Sequence, residues 1–150
     1  MSAGIAGLDI FTAERVEELN ARGDRVKAGI TEVLFATGIY AYEHAAYLKD
    51  VLEVDSFKSD TRLYTGSDKV VPLPKVLVSS RGSMLNVRFT GPDAPSWHNL
   101  YYHHMLEKGV YMASRGYTPL NLEITDENVD MFIGTVKEFL TTHLAALVNK

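Results

Sequence analysis

The C-terminal quarter of the chain has the clearest pattern of hydrophobic and polar positions. From Asp126 onward, apolar residues recur at intervals of three and four, which places them on one side of an α-helix. Thr125 precedes the run as a candidate N-cap, and Asp126 and Glu127 lie in the first turn, where negative charge is favoured. The pattern predicts a long amphipathic helix with a buried face. That face comprises Val129, Phe132, Ile133, Val136, Leu140, Leu144 and Leu147.

The N-terminal part of the chain, residues 1–35, has the same helical period of apolar positions. Thr12 is a candidate N-cap for a second helix within this segment, and Gly38 is a candidate stop. Residues 40–52 form a further helical run. Residues 54–75 are a polar connection with two prolines, and their pattern predicts neither helix nor strand.

The period changes to two in the middle of the chain. Residues 76–89 alternate apolar and polar side chains on either side of a Ser-Arg-Gly-Ser sequence, which predicts a β-hairpin. Residues 97–108 are expected to form a helix that ends at a glycine, and residues 110–114 and 119–124 are expected to form two more strands. The predicted order after Lys75 is therefore ββαββα, an α+β fold with helices covering a small antiparallel or mixed sheet.

The composition is that of an ordinary globular protein. The 150 residues, 46% hydrophobic and 23% charged, suffice for one domain with a core. The formal charge is −4 and the basic residues are scattered, so the sequence shows no basic patch of the kind that binds nucleic acid. No apolar run reaches the roughly 20 residues that span a bilayer. The absence of cysteine excludes disulfides and thiolate chemistry. These features favour a cytoplasmic protein that binds neither nucleic acid nor a membrane.

Two histidines are candidates for metal binding. His103 and His104 lie four and three residues before Glu107 on a predicted helix, so either histidine could share a face with this carboxylate. A catalytic metal site needs about three protein ligands, and no further ligand has a recognisable spacing. Partly exposed helix histidines are the simpler explanation. A metal-dependent enzyme is kept as a remote alternative, and no metal ligand is assigned.

Other motifs have structural explanations. The serines of "SSRGS" fit a hairpin turn, since the Gly-x-Ser-x-Gly sequence of a nucleophile elbow is absent. No glycine-rich phosphate loop is present. Trp97, Tyr101 and Tyr102 could stack against a ring, but aromatic residues at helical spacing more often belong to a core.

Arg115 is the remaining candidate. It lies between two predicted strands, followed by Gly116 and Pro119, where a side chain can point off the sheet edge into a cleft. A guanidinium binds a carboxylate through two parallel hydrogen bonds. From the residues alone, a surface arginine in a turn is the more common case.

Two segments together resemble a known family. "RGSMLNVRFTG" and "LYYHHMLEKGVYMASRGYTPLNLEITDENVDMFIGTVKEFL" are similar to the C-terminal small domain of class III pyridoxal-phosphate aminotransferases, in the branch of glutamate-1-semialdehyde aminomutase and β-amino acid transaminases. That family has a Gly-Ser-Met strand, a Leu-Glu-x-Gly-Val-Tyr helix end and a Thr-Asp-Glu-x-Val-Asp helix start in this order. The resemblance implies a helical segment at 1–35, a divergent connection at 36–75 and the small domain at 76–150, in one compact unit.

The resemblance implies a role for Arg115. In β-amino acid transaminases of this branch, an arginine in the corresponding turn faces the active site and binds the substrate carboxylate. Arg115 is therefore expected to bind an amino acid or β-amino acid. The family's Schiff-base lysine lies in its large domain, and none of the eight lysines here has a matching context. We expect no catalytic residue, no covalently bound pyridoxal phosphate and no activity of this chain alone.

Two interpretations stay open. The chain is either the C-terminal domain or a fragment of a class III aminotransferase or aminomutase-like protein, contributing carboxylate binding and active-site closure, or a stand-alone interaction or oligomerisation module derived from that domain. Apolar surface left exposed by the missing domain favours a homo-oligomer, such as a dimer.

Overall fold

A three-stranded antiparallel sheet packs against helices in the part of the chain that the computed structural model describes, which comprises residues 7, 9–41, 62–64 and 70–148. A separate antiparallel pair is formed by two short strands. The α+β class predicted from the sequence is confirmed. The elements in chain order are α1 (Ala13–Ala36), β1 (Arg62–Tyr64), β2 (Val70–Pro72), β3 (Val76–Arg81), β4 (Met84–Phe89), α2 (Ala94–Glu107), β5 (Tyr117–Pro119), α3 (Asp126–Thr142) and α4 (Leu144–Leu147).

Helix α1 has the two boundaries that the sequence predicts. The Thr12 hydroxyl accepts a hydrogen bond from the backbone N–H of Arg15 at 3.3 Å, and Gly38 follows the helix with a φ of 74°. The helix packs against β3 and α3. No described helix is long and apolar enough to cross a membrane. The helix predicted over residues 40–52 lies outside the described residues, except for Tyr40 and Ala41, which are not helical.

The β3–β4 hairpin closes through Gly82 and Ser83, so the Ser-Arg-Gly-Ser sequence forms the predicted turn. Gly82 has a φ of 56° and Ser83 a negative φ, as a type II′ turn requires. Asn20 of α1 accepts a hydrogen bond from the Ser83 N–H at 3.0 Å. A Cβ on Gly23 would lie 2.1 Å from the Gly82 carbonyl oxygen. Helix α1 therefore lies directly on the hairpin turn, where only glycine fits.

Tyr40 covers the outer edge of β3. Its hydroxyl oxygen accepts a hydrogen bond from the Val78 N–H at 3.1 Å, and the side chain is buried. An edge strand leaves alternate backbone N–H groups without a partner in the sheet. The Tyr40 hydroxyl satisfies one of these donors. Burial raises the pKa of this hydroxyl, so it stays protonated.

The core lies between the sheet and the helices and is rich in aromatic rings. The Phe139 ring of α3 contacts Phe89 of β4 at a centroid distance of 5.9 Å and Tyr101 of α2 at 5.2 Å. Tyr101 is 1% exposed, and Trp97 and Tyr102 pack against the core. The aromatic residues of α2 therefore belong to the core, as the residue pattern favoured.

Helix α3 begins with a capping box. The Thr125 hydroxyl accepts a hydrogen bond from the Asn128 N–H at 3.3 Å, and the Asn128 side chain accepts one from the Thr125 N–H at 3.0 Å. The predicted N-cap is confirmed. Thr135 and Phe139 belong to the buried face although the predicted stripe omits them, while Ile133 and Leu144 are only partly buried. The predicted single helix is interrupted at His143, so Leu144 and Leu147 lie in α4. The predicted positions that are buried are Val129, Phe132, Val136, Leu140 and Leu147.

One predicted strand is absent, and another is displaced. Residues 110–114 form no strand, and of residues 119–124 only Pro119 belongs to β5. The order of the described elements after Lys75 is therefore ββαβαα, with the short α4 as the last element.

The reason for the missing strand lies at the edge of β4. The Val87 N–H donates to the Gly116 carbonyl at 3.1 Å, and the Phe89 N–H donates to Nε2 of His98 at 3.3 Å. The imidazole occupies the acceptor position that a longer edge strand would need. The sequence of residues 110–114 predicts a strand, but the acceptor position beside the Phe89 N–H is filled by a residue of α2.

Two tyrosine hydroxyls allow a matched test of the hydrogen bond between Tyr40 and Val78. Tyr40→Phe leaves the Val78 N–H without its acceptor, and we expect it to lower the free energy of unfolding by about 1–3 kcal/mol. The buried Tyr101 hydroxyl has no hydrogen-bond partner among the described residues, so Tyr101→Phe should leave stability unchanged or raise it. Urea unfolding followed by circular dichroism measures both. Equal losses in the two variants would contradict the assigned role of Tyr40.

Candidate functional site

Arg115 lies in a β-turn that precedes β5. The Gly116 N–H donates to the Ala113 carbonyl at 2.9 Å, and the Ala113 N–H donates to the Tyr117 carbonyl at 3.2 Å. The expected position of Arg115 between two strands is wrong, because residues 110–114 lie outside the sheet. The turn at residues 113–116 is called the Arg115 turn below.

Gly116 fixes the Arg115 turn to the sheet. Its carbonyl accepts the hydrogen bond from Val87 of β4, and the residue itself is buried. Its φ is 83°, and a Cβ at this position would lie 1.9 Å from the Val87 carbonyl oxygen. Only glycine tolerates both the left-handed conformation and this close approach. The backbone next to Arg115 is therefore held against the central strand.

The Arg115 side chain is exposed. It forms no hydrogen bond or ion pair with another residue in the described part of the chain. In contrast, Arg25, Lys75 and Lys108 each pair with a carboxylate. A guanidinium on a fixed backbone, without an internal partner, can bind an external carboxylate through two hydrogen bonds.

Large apolar side chains accompany Arg115 on the surface. Tyr117 follows the turn directly, and its hydroxyl donates to the Met84 sulfur at 3.3 Å. Tyr117 and Met84 are 39% and 45% exposed, and Tyr111, earlier in the same loop, is 86% exposed. Exposed apolar surface next to a cation suits contact with an apolar ligand or with another protein surface.

The helix histidines do not form a metal site with Glu107. His103 is exposed, whereas His104 is partly buried, and its Nε2 lies 3.3 Å from the Thr135 carbonyl of α3. Among the described residues, no group of three His, Asp or Glu side chains is arranged to hold a metal ion. The contact of His104 with α3 gives this residue a structural role between two helices.

A cluster of paired charges joins α1 to the start of α3. Arg25 contacts the carboxylates of Asp126 and Asp130, and Arg22 Nε lies 3.6 Å from Asp126. Arg22, Arg25 and Asp126 border a shallow surface depression together with Glu18 and Ala21. Since the guanidinium groups are already paired and solvent-exposed, the cluster contributes modestly to helix docking and offers no free cation for a ligand. The sequence alone did not indicate this cluster, because its partners lie about a hundred residues apart.

The described lysines do not fit a pyridoxal phosphate site. Such a site needs a lysine amine for the cofactor aldehyde and an acid facing the pyridine nitrogen. Lys75 lies 3.4 Å from Asp93, and Lys108 lies 2.6 Å from Glu138, in pairs near the surface. Lys27 and Lys137 lie on α1 and α3, and neither borders the depression. No reaction step is assigned to the cofactor in this chain.

Sequence comparison relates the chain to a transaminase. No family model matches the sequence. Over 158 aligned residues, the chain is 23% identical to the β-phenylalanine transaminase of Variovorax paradoxus, and the alignment covers 98% of this chain and 28% of that protein. The resemblance to transaminases is confirmed. The chain spans about a quarter of the length of this relative.

Solved transaminase structures share the fold. A transaminase with PLP bound has a TM-score of 0.65 at 16% identity, covering 99% of this chain and 28% of its own. An omega-transaminase from Sphaerobacter thermophilus has a TM-score of 0.62 at 12% identity, with 93% and 26% covered. The β-phenylalanine aminotransferase from Variovorax paradoxus has a TM-score of 0.58 at 18% identity, with 87% and 24% covered. At these identities the structures show a common fold for this part of the enzymes.

Two glycines test how the Arg115 turn is held. Gly116→Ala adds a Cβ that overlaps the Val87 carbonyl and forces a left-handed alanine, so we expect a loss of more than about 2 kcal/mol in unfolding free energy. Gly134→Ala, in the exposed middle of α3 with open space around its Cβ, should instead stabilise by about 0.5–1 kcal/mol. Urea unfolding measures both. A Gly116→Ala variant as stable as the unmodified protein would show that the turn is not fixed as described.

Proposed function

We propose that this chain is the C-terminal part of a pyridoxal-phosphate-dependent class III aminotransferase, in which Arg115 binds the carboxylate of an amino acid or β-amino acid substrate. The alignment along 98% of the chain with a β-phenylalanine transaminase supports the enzyme class. The observation that carries the role of Arg115 is its exposed guanidinium on a turn fixed by Gly116. The absence of cysteine agrees with the reducing cytoplasm as its compartment.

The proposal includes a division of the chain into a helical segment (1–35), a connection (36–75) and the small domain (76–150). Two close contacts support packing of the first and last of these as one unit. A Cβ on Gly29 of α1 would lie 2.7 Å from Cδ1 of Ile133 in α3, and Asn20 binds the hairpin turn at Ser83. Helix α1 would then move together with the small domain when the active site closes.

In this proposal, the rest of the enzyme supplies the lysine that holds the cofactor, and the cofactor supplies the amino-transfer chemistry. The part played by this chain is recognition of the substrate. A guanidinium orients a carboxylate through two hydrogen bonds, which an ammonium group does not reproduce with the same geometry. The aromatic and thioether side chains of Tyr117 and Met84 would contact the apolar portion of the substrate or the large domain.

A chimera tests the role of Arg115. This chain would replace the aligned segment of the β-phenylalanine transaminase, and kinetics would be measured with an amino acid and with a plain amine of similar shape. We expect Arg115→Ala to raise the KM for the amino acid by roughly 10- to 100-fold, because hydrogen bonds to charged groups contribute about 1.5–3 kcal/mol. The KM for the amine should change little.

Arg15→Ala is the matched control for this experiment. Arg15 lies in the first turn of α1 and is exposed, and its backbone N–H donates to the Thr12 cap, a hydrogen bond that alanine retains. It should leave both KM values unchanged. Equal effects of Arg115→Ala on the amino acid and the amine, or equal effects of the two arginine variants, would contradict carboxylate binding by Arg115.

A visible absorption spectrum tests the division of labour within the enzyme. We expect the isolated chain, mixed with pyridoxal phosphate, to show no internal aldimine band and no turnover of an amino donor, since the described lysines lack a suitable environment. Borohydride reduction followed by mass spectrometry would detect any lysine adduct. A single modified lysine together with turnover would overturn this proposal.

A stand-alone interaction or oligomerisation module is the second candidate. The exposed side chains of Met84, Tyr111 and Tyr117 favour it, because such surface promotes association. Sedimentation of the chain shows whether it forms a homo-oligomer, and Tyr111→Ser with Tyr117→Ser shows whether this surface is responsible. The genomic sequence upstream separates the candidates, since an open frame that encodes a lysine-bearing large domain supports the aminotransferase.

A further inference from the structure

The backbone N–H groups on one side of β4 have two different kinds of partner. The Val87 N–H donates to the Gly116 carbonyl of the Arg115 turn at 3.1 Å. Two residues further, the Phe89 N–H donates to Nε2 of His98 in α2 at 3.3 Å. The side chain of His98 therefore lies along the same edge of β4 as β5 and the Arg115 turn, and it supplies the next hydrogen-bond acceptor. Any change at His98 acts on the same edge of β4 that holds the turn.

This hydrogen bond determines the protonation state of His98. A ring nitrogen that accepts an N–H carries no proton, so the neutral ring holds its proton on Nδ1. Nδ1 is buried and has no partner among the described residues. A second proton on Nε2 would face the Phe89 N–H donor, and the hydrogen bond would be lost. This hydrogen bond between α2 and β4 therefore requires the neutral ring.

The surroundings of His98 also disfavour the charged ring. Burial lowers the pKa of His98, and the positive charge of Arg88 on β4 lowers it further. At the start of α2, the Asp93 carboxylate accepts a hydrogen bond from Trp97 Nε1 at 2.9 Å and lies 3.4 Å from the Lys75 ammonium. This carboxylate is therefore already compensated by its own partners. Among the described residues, the charged groups of the neighbouring elements therefore do not stabilise an imidazolium.

We propose that His98 is a protonation-dependent latch for the Arg115 turn: the neutral imidazole holds the Phe89 N–H and keeps the edge of β4 closed, and the protonated imidazole releases it and loosens the turn. The consequence for catalysis rests on the proposed function, since the turn carries the guanidinium that would bind substrate. Carboxylate binding would then weaken in acid through a change in the protein and not in the substrate.

The direction of the pH effect follows from the two states of the chain. In the unfolded chain, His98 takes up a proton near the usual pKa of 6.5, whereas in the folded protein its pKa is lower. Stability conferred by the neutral ring is therefore complete above about pH 6.5 and declines as the pH falls from there towards the lowered folded-state value. The latch opens only when the pH falls through that lower value.

Amide hydrogen exchange of the full chain, measured by NMR and corrected for intrinsic exchange, tests the latch. We expect the protection of the Phe89 amide to fall by about tenfold or more between neutral and acidic pH, with a smaller loss at Val87. The Val78 amide, whose acceptor is the Tyr40 hydroxyl on the opposite edge, is the internal reference and should stay protected. Unchanged protection of Phe89 in acid would overturn the proposal.

Three variants separate a latch from a general effect of acid. His98→Gln places a non-titrating amide oxygen near the position of Nε2, and Phe89 should then stay protected at both pH values. His98→Leu removes the acceptor, and protection should be low at both. His103→Gln changes an exposed histidine of the same helix and should keep the acid-induced loss. If His98→Leu does not fold, His98→Gln alone decides, because an unchanged acid loss in that variant contradicts the latch.

The outcome is independent of the proposed function. A pH-dependent Phe89 amide together with an Arg115→Ala chimera of unchanged KM would support the latch and refute the assignment of Arg115. If the protection of the Phe89 amide does not change with pH and the Arg115→Ala chimera has a raised KM for the amino acid, the latch is refuted and the assignment of Arg115 is supported.

Discussion

Strand β4 is the central strand of the sheet, and its backbone donors need partners on both sides. On one side β3 pairs along its whole length, but β5 has only three residues. The N–H groups of Val87 and Phe89 are met instead by the Gly116 carbonyl and the His98 imidazole. Because a buried donor without a partner is costly, this requirement determines where the Arg115 turn and α2 lie. It also leaves no place for the additional strand.

Helices α1 and α3 also contact and support this sheet. Tyr40, after α1, covers the outer edge of β3, and α1 lies so close to the hairpin that a side chain at Gly23 would strike its turn. Phe139 of α3 joins the rings of β4 and α2 into one cluster. The result is a supported sheet on which the Arg115 turn is held through Gly116. The proposed role of Arg115 would benefit from such a scaffold, because a fixed backbone leaves only the side chain to be ordered on binding.

The chain spans about a quarter of the length of the transaminases it resembles. Its described residues include the exposed guanidinium of Arg115, on a turn fixed by Gly116, and the exposed rings of Tyr111 and Tyr117. Of the described lysines, Lys75 and Lys108 pair with carboxylates, and Lys27 and Lys137 lie on α1 and α3. Recognition of a carboxylate and the chemistry of amino transfer would then reside in different parts of one enzyme. Exposed apolar residues near Arg115 agree with contact between those parts, and the same residues explain why an association module is the alternative.

Features that depend on neighbours in sequence were predictable from the sequence. The caps at Thr12 and Thr125, the stop at Gly38 and the hairpin turn follow from local hydrogen bonding, and the structure confirms them. Periodicity also predicted the buried side of α3 at Val129, Phe132, Val136 and Leu140, although it missed Thr135 and Phe139.

Features that depend on distant residues were decided by the tertiary structure. Residues 110–114 have strand-like side chains, yet His98 fills the edge they would need, and no periodicity shows that an imidazole of a helix will replace a strand. Likewise, the sequence singled out Arg115 and a glycine beside it, but only the contact of Gly116 with β4 shows that the turn is fixed. Backbone donors must be satisfied by whichever group lies nearest in space, and the order of residues along the chain does not specify that group.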